Sequence, residues 1–479
     1  MKVENTQLIR RLVFASLSRA TLPDWYSLGA RFIRVGMNLK RKASDAGTVS
    51  RARRRIESMT DYCDASPRTD ASGSILWPAS GEAMEYARNF IRACAAAQSK
   101  VLIVPDKDAD GLDAGVILHK TLISLGLSPG LIDVHLIGKN STVHDEVERA
   151  AMQAKIPKYI IVVDQGSRAA PPIIDDPDTH SLIIDHHLSD DFPENATVVS
   201  ACHYPPVATS ALLTYEICKP LNPNIAASCG YLCAMGTHGD LGNTLKWKPP
   251  FPDMTEVFKT HTKKAINEAV SLINAPRRTS KFDVLSAWQA LLEAKSPKDI
   301  LINTRLLNAR AEINEEVERQ THTPPKFSKD GKIAVLRINS AAQVHGPIAT
   351  RWAGHLNSKA LEIVMVANSG YRPGYVNFSC RIARCARSRD PPVNIIASLK
   401  AAADLDTGDL TERMGESFAR GHKEASGGIV PAAEFEELMA LLKVGEKPDP
   451  KPEDAGKTSK KSDARPQKNN LMNYFAKTG

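Results

Sequence analysis

A chain of 479 residues with 42% hydrophobic and 24% charged side chains is long enough for two or three domains with sizeable cores. Its 62 Lys and Arg against 54 Asp and Glu leave a formal charge of +8, which fits a polyanionic partner without requiring one. Eight cysteines fall without disulfide or zinc spacing, the nearest pairs being Cys229/Cys233 and Cys380/Cys385, so reduced thiols are expected. No apolar run is long enough to span a bilayer, so no membrane role is expected.

Residues 1–78 are basic, poorly patterned and expected to be largely disordered. Segment 7–35 carries Arg10, Arg11, Arg19, Arg31 and Arg34 among serines and apolar residues, which fits a mitochondrial presequence or a helix packed on the body. Met37 is an alternative start. Lys40-Arg41-Lys42 and the arginines at 51, 53, 54 and 55 fit a nuclear address, a nucleic-acid contact, or plain solvated charge.

Residues 79–255 are expected to form the first folded domain. A helix over 83–97 leads into the apolar run Val101 to Val104, a short buried strand bounded by Pro105. Asp106, Asp108 and Asp110 follow at every second position, then Gly111 and an amphipathic helix with Val116, Ile117, Leu118, Thr121, Leu122 and Leu125 on one face. Further strands are expected at 134–137, 159–163 and 182–184, with a helix at 145–154 among the stretches between them. Short apolar strands alternating with helices predict a mostly parallel sheet covered on both faces. Ligands of such sheets gather at the carboxyl ends of the strands. Two of these strands run into Asp164-Gln165-Gly166-Ser167 and Asp185-His186-His187. A further cluster, Gly236-Thr237-His238-Gly239-Asp240, is expected to follow a helix at 225–235.

Residues 256–328 read as a helical connector, with Trp288 a core anchor and the charged helix 304–320 a spacer between lobes that Pro324-Pro325 ends. Strands at 333–338, 363–367 and 375–381 and a helix at 393–403 make residues 329–443 a smaller α/β domain. Residues 444–479 are rich in Lys, Pro, Asp, Ser and Gly and cannot bury enough surface to fold.

Carboxylates crowded at strand ends repel one another unless a cation sits among them. Divalent metals take oxygen ligands, and a histidine adds nitrogen that favours Mn²⁺. One Asp-x-Asp would read as a solvated acidic turn. Four acidic or histidine clusters in this order on one scaffold suit two Mn²⁺ or Mg²⁺ ions. Such a pair, about 3.5–4 Å apart, lowers the pKa of a bridging water and stabilises in-line phosphoryl displacement.

Asp108-Ala109-Asp110-Gly111, Val163-Asp164, Asp185-His186-His187 and Gly236-Thr237-x-x-Asp240 resemble motifs I to IV of the DHH phosphoesterase superfamily. The run from Asp106 to Gly111 most resembles the RecJ-like single-strand exonuclease branch. Segments 344–349, 378–381 and 420–428 resemble the family's DHHA1 nucleic-acid-binding domain, and the resemblance spans about residues 80–442. It implies an α/β protein: a DHH domain with a mostly parallel sheet, joined by the helical spacer to a smaller α/β DHHA1 domain.

The resemblance also implies roles. Asp108 would bind the first metal and Asp110 the second, Asp164 would bridge, and His186 and Asp240 would complete the second ion's ligands. His187 would hold substrate phosphate or assist the leaving oxygen, with Asp185 orienting both histidines. Val104 stands where other branches carry a ligand histidine, which leaves Asp106 as a candidate substitute. Arg381 and His422 would contact a phosphate or the strand terminus. Gly421, Gly427 and Gly428 would allow close backbone approach. Arg420 replaces a glycine of the family's Gly-Gly-Gly-His and adds charge.

The expected function is a Mn²⁺- or Mg²⁺-dependent phosphodiesterase, two ions per site, hydrolysing single-stranded DNA or RNA from an end as a monomer. The alternatives are a phosphoesterase on short oligonucleotides, cyclic dinucleotides or polyphosphate, and a non-catalytic replication scaffold, against which the intact acids speak. The tail resembles a sliding-clamp-binding box with Lys468 in place of Gln, and Leu471, Tyr474 and Phe475 would plug an apolar pocket. Together with the basic clusters near residues 40–55, it suggests a nuclear protein of DNA repair or replication.

Overall fold

The structure, a computed structural model, describes residues 65–447 apart from Thr407. The presequence-like segment, the basic clusters up to residue 55 and the tail residues Leu471, Tyr474 and Phe475 lie outside the described residues.

Five strands, β1 (Val101–Pro105), β2 (Ile132–Val134), β3 (Tyr159–Val163), β4 (His180–Asp185) and β5 (Ala196–Ser200), form a parallel sheet in the order β2-β1-β3-β4-β5. Helices α1 (Gly81–Ala96), α2 (Ala109–Ser124), α3 (Glu146–Gln153), α4 (Ser210–Cys218) and α5 (Pro223–Leu241) belong to the same lobe. Alternate strand side chains point to opposite faces. Val101, Ile103, Ile161, Val163, Leu182 and Ile184 therefore join one core with α1, α2, α4 and α5. Leu102, Val104, Ile160, Val162 and Ile183 join a second with Met152 of α3, Ile173 and Ile174. Burial on both faces is why these strands are unbroken apolar runs. The strand order reverses between β1 and β3, so the chain leaves them towards different sides and opens a crevice at their carboxyl ends.

Two strands differ from expectation. β2 starts at Ile132 and stops at Val134; the His135 amide still donates to the Ile103 carbonyl at 2.9 Å, but further on the Gly138 amide turns to the Glu148 carboxylate at 2.9 Å. β5 was not expected; of its five residues only Val199 is buried, so it carries little apolar pattern.

Helices α6 (Thr255–His261), α7 (Lys263–Ile273), α8 (Val284–Glu293) and α9 (Pro297–Leu301) follow. Most of the expected connector is part of the first lobe. Ile266, Leu272 and Ile273 of α7 and Ala287, Trp288 and Leu291 of α8 enter the core of α2 and α5. α10 (Thr304–Gln320) has side chains in both lobes: Leu306 lies in the first core, Ile313 and Val317 in a core of the second lobe.

The second lobe is a six-stranded sheet of β6 (Lys326–Phe327), β7 (Ile333–Ile338), β8 (Ile363–Asn368), β9 (Tyr375–Ile382), β10 (Arg420–His422) and β11 (Ala425–Pro431). Its order is β10-β11-β9-β8-β7-β6, with β7 and β8 parallel and the other neighbours antiparallel. Helices α11 (His345–His355), α12 (Ile395–Ala403), α13 (Leu410–Arg413) and α14 (Ala432–Leu441) complete it. α10 and α11 cover one face of the sheet, α12 and α14 the other. No helix among the described residues is long and apolar enough to cross a membrane.

Inside the first core, α2 carries Asp113, fully buried, with neither carboxylate oxygen meeting a donor. Burial, reinforced by the Asp110 charge, raises its pKa well above the ordinary value. The folded chain then holds the Asp113 proton more tightly than the unfolded chain, so this group erodes stability as pH rises above the unfolded value of about 3.8. Asp113→Asn should therefore be more stable than the parent near neutrality, with the gap closing towards about pH 4 in urea unfolding at the two pH values.

Candidate metal centre

The crevice is lined by carboxylates that local structure aims at one region. β1 ends at Pro105 and α2 starts at once, packed so closely that a Cβ at Gly111 would lie 2.7 Å from the Asp106 amide nitrogen. Asp108 caps α2, its Oδ1 accepting from the amides of Asp110 and Gly111 at 3.1 and 3.4 Å. Its Oδ2 lies 3.7 Å from Arg277 Nη2. Asp110, fully buried, accepts the amides of Ser210 and Ala211 at 2.7 and 3.0 Å, so it sits on the amino end of α4, where the helix dipole favours negative charge.

Asp164 follows β3 with φ +63°, a left-handed backbone that Asp tolerates better than most residues, and accepts the Ser210 hydroxyl at 2.9 Å. Asp185 ends β4. It accepts the amides of His186 and His187, the His187 ring Nδ1–H at 2.8 Å and the Ser167 hydroxyl at 2.5 Å.

His186 Nε2 stands 3.3 Å from Asp164 Oδ1, 3.3 Å from Asp240 Oδ2 and 3.9 Å from Asp110 Oδ2. It is buried, yet makes no properly directed hydrogen bond to any of them. Donors grouped around a common point, rather than aimed at one another, suit a cation. Neighbouring ligands of an octahedral ion with bonds near 2.1 Å are about 3 Å apart. Three sets have donor atoms within 4.8 Å of one another: Asp110/His186/Asp240, Asp164/His186/His187 and Asp106/Asp108/Asp164. Asp164 belongs to two of them, the position a bridging ligand needs.

The electrostatics agree. Burial, then the neighbouring Asp240 charge, pushes Asp110 up to about 7. Burial, then Asp110, raises Asp164 well above its ordinary value. Burial also raises Asp108, against the pull of Arg277. For His186 burial opposes charge, but the carboxylates of Asp164 and Asp240 outweigh it and hold the ring up to about 12. An ion held by His186 would have to displace any proton on that nitrogen. The Asp185 hydrogen bond raises His187. Burial alone would raise Asp185, but His187, Ser167 and the backbone amide outweigh it and hold the carboxyl low.

Asp106, Asp108, Asp110, Asp164, His186 and Asp240 thus come together as the sequence suggests. Asp185 differs from expectation: it orients the His187 ring but meets only the amide of His186. Asp240 lies in the last turn of α5, not beyond it, because the helix runs on through Gly236 and Gly239, which lie against α4 and α2. His238 faces away from the acids, donating from Nδ1 to Asn267 at 2.8 Å, accepting from Trp247 at 3.2 Å and stacking on Phe258.

From the second lobe, Arg381 donates to Ser379 Oγ and the Cys380 carbonyl at 2.9 and 2.8 Å. It lies near half-buried Arg278, which burial and the adjacent Arg277 lower to about 10. Burial, then Arg381, lowers His345 to about 4. Lys139 ties the lobes together, donating to the Ala341 carbonyl at 3.0 Å with its ammonium 4.3 Å from the Tyr371 ring centre.

Arg420 does not join this group. It bonds Glu416, which also pairs with Arg168. The backbone of His422 pairs with Ala425, which pairs with Arg381. Gly427 is required by the sheet itself, since a Cβ there would lie 2.4 Å from the Phe378 carbonyl. Gly428 likewise abuts the Phe378 ring, and Gly421 has φ +108°. Sequence reasoning missed Lys107, Lys139, Ser210, Arg277 and Arg278; only the adjacent arginine pair behind Pro276 offered a signal.

Residues 100–237 match the model of the DHH family, N-terminal domain. Within the first lobe, residues 100–237 therefore form the N-terminal domain of the DHH family. No curated protein matches the chain in sequence. Among solved structures, RecJ from Thermus thermophilus in complex with Mn²⁺ aligns at TM-score 0.52 and 18% identity, covering 75% of this chain and 54% of that one. The chain thus spans about half the length of the Thermus protein. A DHH-domain member of the s1p family of ribosomal proteins aligns at TM-score 0.55 and 15% identity, covering 82% and 97%. The DHH domain and the second α/β lobe share the RecJ-like fold.

The DHH donors must lose protons to take an ion, so Mn²⁺ should bind more tightly as pH rises from about 6 to about 8. Ion at about 100 times its Kd should stabilise the fold by about 2.7 kcal/mol, seen as a raised Tm. Asp164→Ala should show no such rise. A parent whose Tm ignores Mn²⁺ at both pH values would remove the metal reading.

Proposed function

We propose that this DHH protein is a divalent-metal-dependent phosphodiesterase that shortens single-stranded nucleic acid from an end. The observation that carries this reading is the pairing of two opposed surfaces. The acid–histidine cluster lies beside cations from both lobes, Arg277 and Arg278 from one and Arg381 from the other, and neither Arg278 nor Arg381 has an ion-pair partner among the described residues. A site that combines metal-competent carboxylates with guanidinium groups not paired to an acid suits a phosphodiester. The motif resemblance to RecJ-type exonucleases supports the same substrate class.

Asp110, His186 and Asp240 would hold one ion, Asp106 and Asp108 the other, with Asp164 shared. Two Mn²⁺ or Mg²⁺ ions bound there would supply an activated water and positive charge for the phosphoryl oxygens. His187, its Nδ1 proton engaged by Asp185 and its ring 60% exposed, presents Nε2 to a phosphate or leaving oxygen. Arg278 and Arg381 would hold neighbouring phosphates. Contacts of this kind position a strand without reading its sequence.

The test is nucleotide release from end-labelled single-stranded DNA and RNA with Mn²⁺, alongside Asp164→Ala. Cleavage by the parent and none by the variant is the expected result, and the label lost first gives the polarity. Consumption of short oligonucleotides or polyphosphate alone would transfer the reading to a small-substrate phosphoesterase. Silence on all substrates would leave a scaffold.

The Asp185 hydrogen bond keeps His187 cationic to higher pH than a free imidazole. Activity that uses the cation is lost as pH rises through that elevated pKa. Asp185→Asn should therefore move the alkaline limb of the rate profile to lower pH, while Mn²⁺ binding persists.

A further inference from the structure

The acid cluster has two halves with different counter-charges. Asp110, Asp164 and Asp240 are met by one His186 nitrogen and by no Lys or Arg ion pair among the described residues. Asp106 and Asp108 are already matched. Lys107 Nζ lies 3.1 Å from Asp106 Oδ1, and Arg277 Nη2 lies 3.7 Å from Asp108 Oδ2. Arg277 is held in place through Nε by Asn274 Oδ1 at 3.0 Å, and the same oxygen accepts the Ala109 amide at 3.3 Å. Among the described residues the Lys107 ammonium donates to Asp106 alone, and its side chain is one-third exposed.

We propose that Lys107, backed by Arg277, is an internal competitor for the ion position formed by Asp106, Asp108 and Asp164. The Asp106/Asp108/Asp164 position would then fill after the Asp110/His186/Asp240 one, and Lys107, once off Asp106, would be free to hold substrate phosphate. The proposal rests on the metal centre of the phosphodiesterase reading and goes beyond it. A cation this close offsets the charge that would attract a divalent ion, and its own charge repels the ion. The Asp110/His186/Asp240 half has no such Lys or Arg tenant among the described residues.

The released ammonium has a place to go. The second lobe borders this end of the acid cluster, since Tyr371 lies near the charges of both Lys107 and Arg277. A phosphate bound there would draw Lys107 off Asp106 and strengthen the second ion. By reciprocity the second ion would strengthen phosphate binding to the same degree. The Asp106/Asp108/Asp164 position would thus be completed when a phosphate holds Lys107 away from Asp106.

The experiment is Mn²⁺ titration of the full chain by calorimetry, with electron paramagnetic resonance reporting when two ions sit together. The proteins are the parent, Lys107→Met and Lys107→Arg, each checked for fold by circular dichroism. The parent should take one ion tightly and a second about tenfold or more weaker, and Lys107→Met should tighten the second by about tenfold. Lys107→Arg should keep the parent's gap, and inorganic phosphate added to the parent should narrow it. Equal second-ion affinity in the parent and Lys107→Met, or a weaker second ion in the variant, overturns the proposal alone. A parent that takes no ion overturns the metal centre and the proposal with it.

Discussion

Mutual repulsion among Asp106, Asp108, Asp110, Asp164 and Asp240 is the constraint around which the DHH lobe is arranged. Asp110 and Asp164 are almost completely removed from water, where like charges act on one another strongly. The fold offsets part of this cost locally. Asp108 and Asp110 sit on the amino ends of α2 and α4, Asp164 takes the Ser210 hydroxyl, and His186 brings one positive charge. None of these groups cancels the excess. A chain that keeps so many acids together without a hydrogen-bond network among them is giving up stability for a site.

The sheet order makes the gathering possible. β1 and β3 are neighbours across the reversal of strand order, so the residues that follow them, Asp106 to Asp110 and Asp164, meet at one crevice. α5 packs against α2 through Gly236 and Gly239 and delivers Asp240 in its last turn. The second lobe adds charge of the other sign. α10 has side chains in both cores, which fixes Arg381 near Arg278 and sets a cationic wall beside an anionic floor. Lys107 and Arg277 lie where wall and floor meet.

Legibility in the sequence tracks how local the cause is. β3 and β7 have the expected bounds, because short apolar runs buried on both faces, interrupted only by the exposed Arg337 of β7, have little else to form. β5 escaped notice, being an edge strand with one buried residue. α7 and α8 were read as connector because an amphipathic helix shows that it buries a face, but not against what. The same limit applies to Asp185, whose place beside two histidines says nothing about which ring it bonds.

The sequence alone determined the chemical inventory: the acids behind Val101 to Val104, Asp164 behind its apolar strand, Asp185-His186-His187 and Asp240. These were readable because each cluster stands next to the element that positions it, or within it, and apolar periodicity marks such elements. Tertiary structure alone decided the partners: Ser210 on Asp110 and Asp164, Arg277 on Asp108, and Arg381 beside Arg278. Those pairings join residues dozens to hundreds of positions apart. Only the packing of α4, α7 and the second lobe against the crevice brings them within reach.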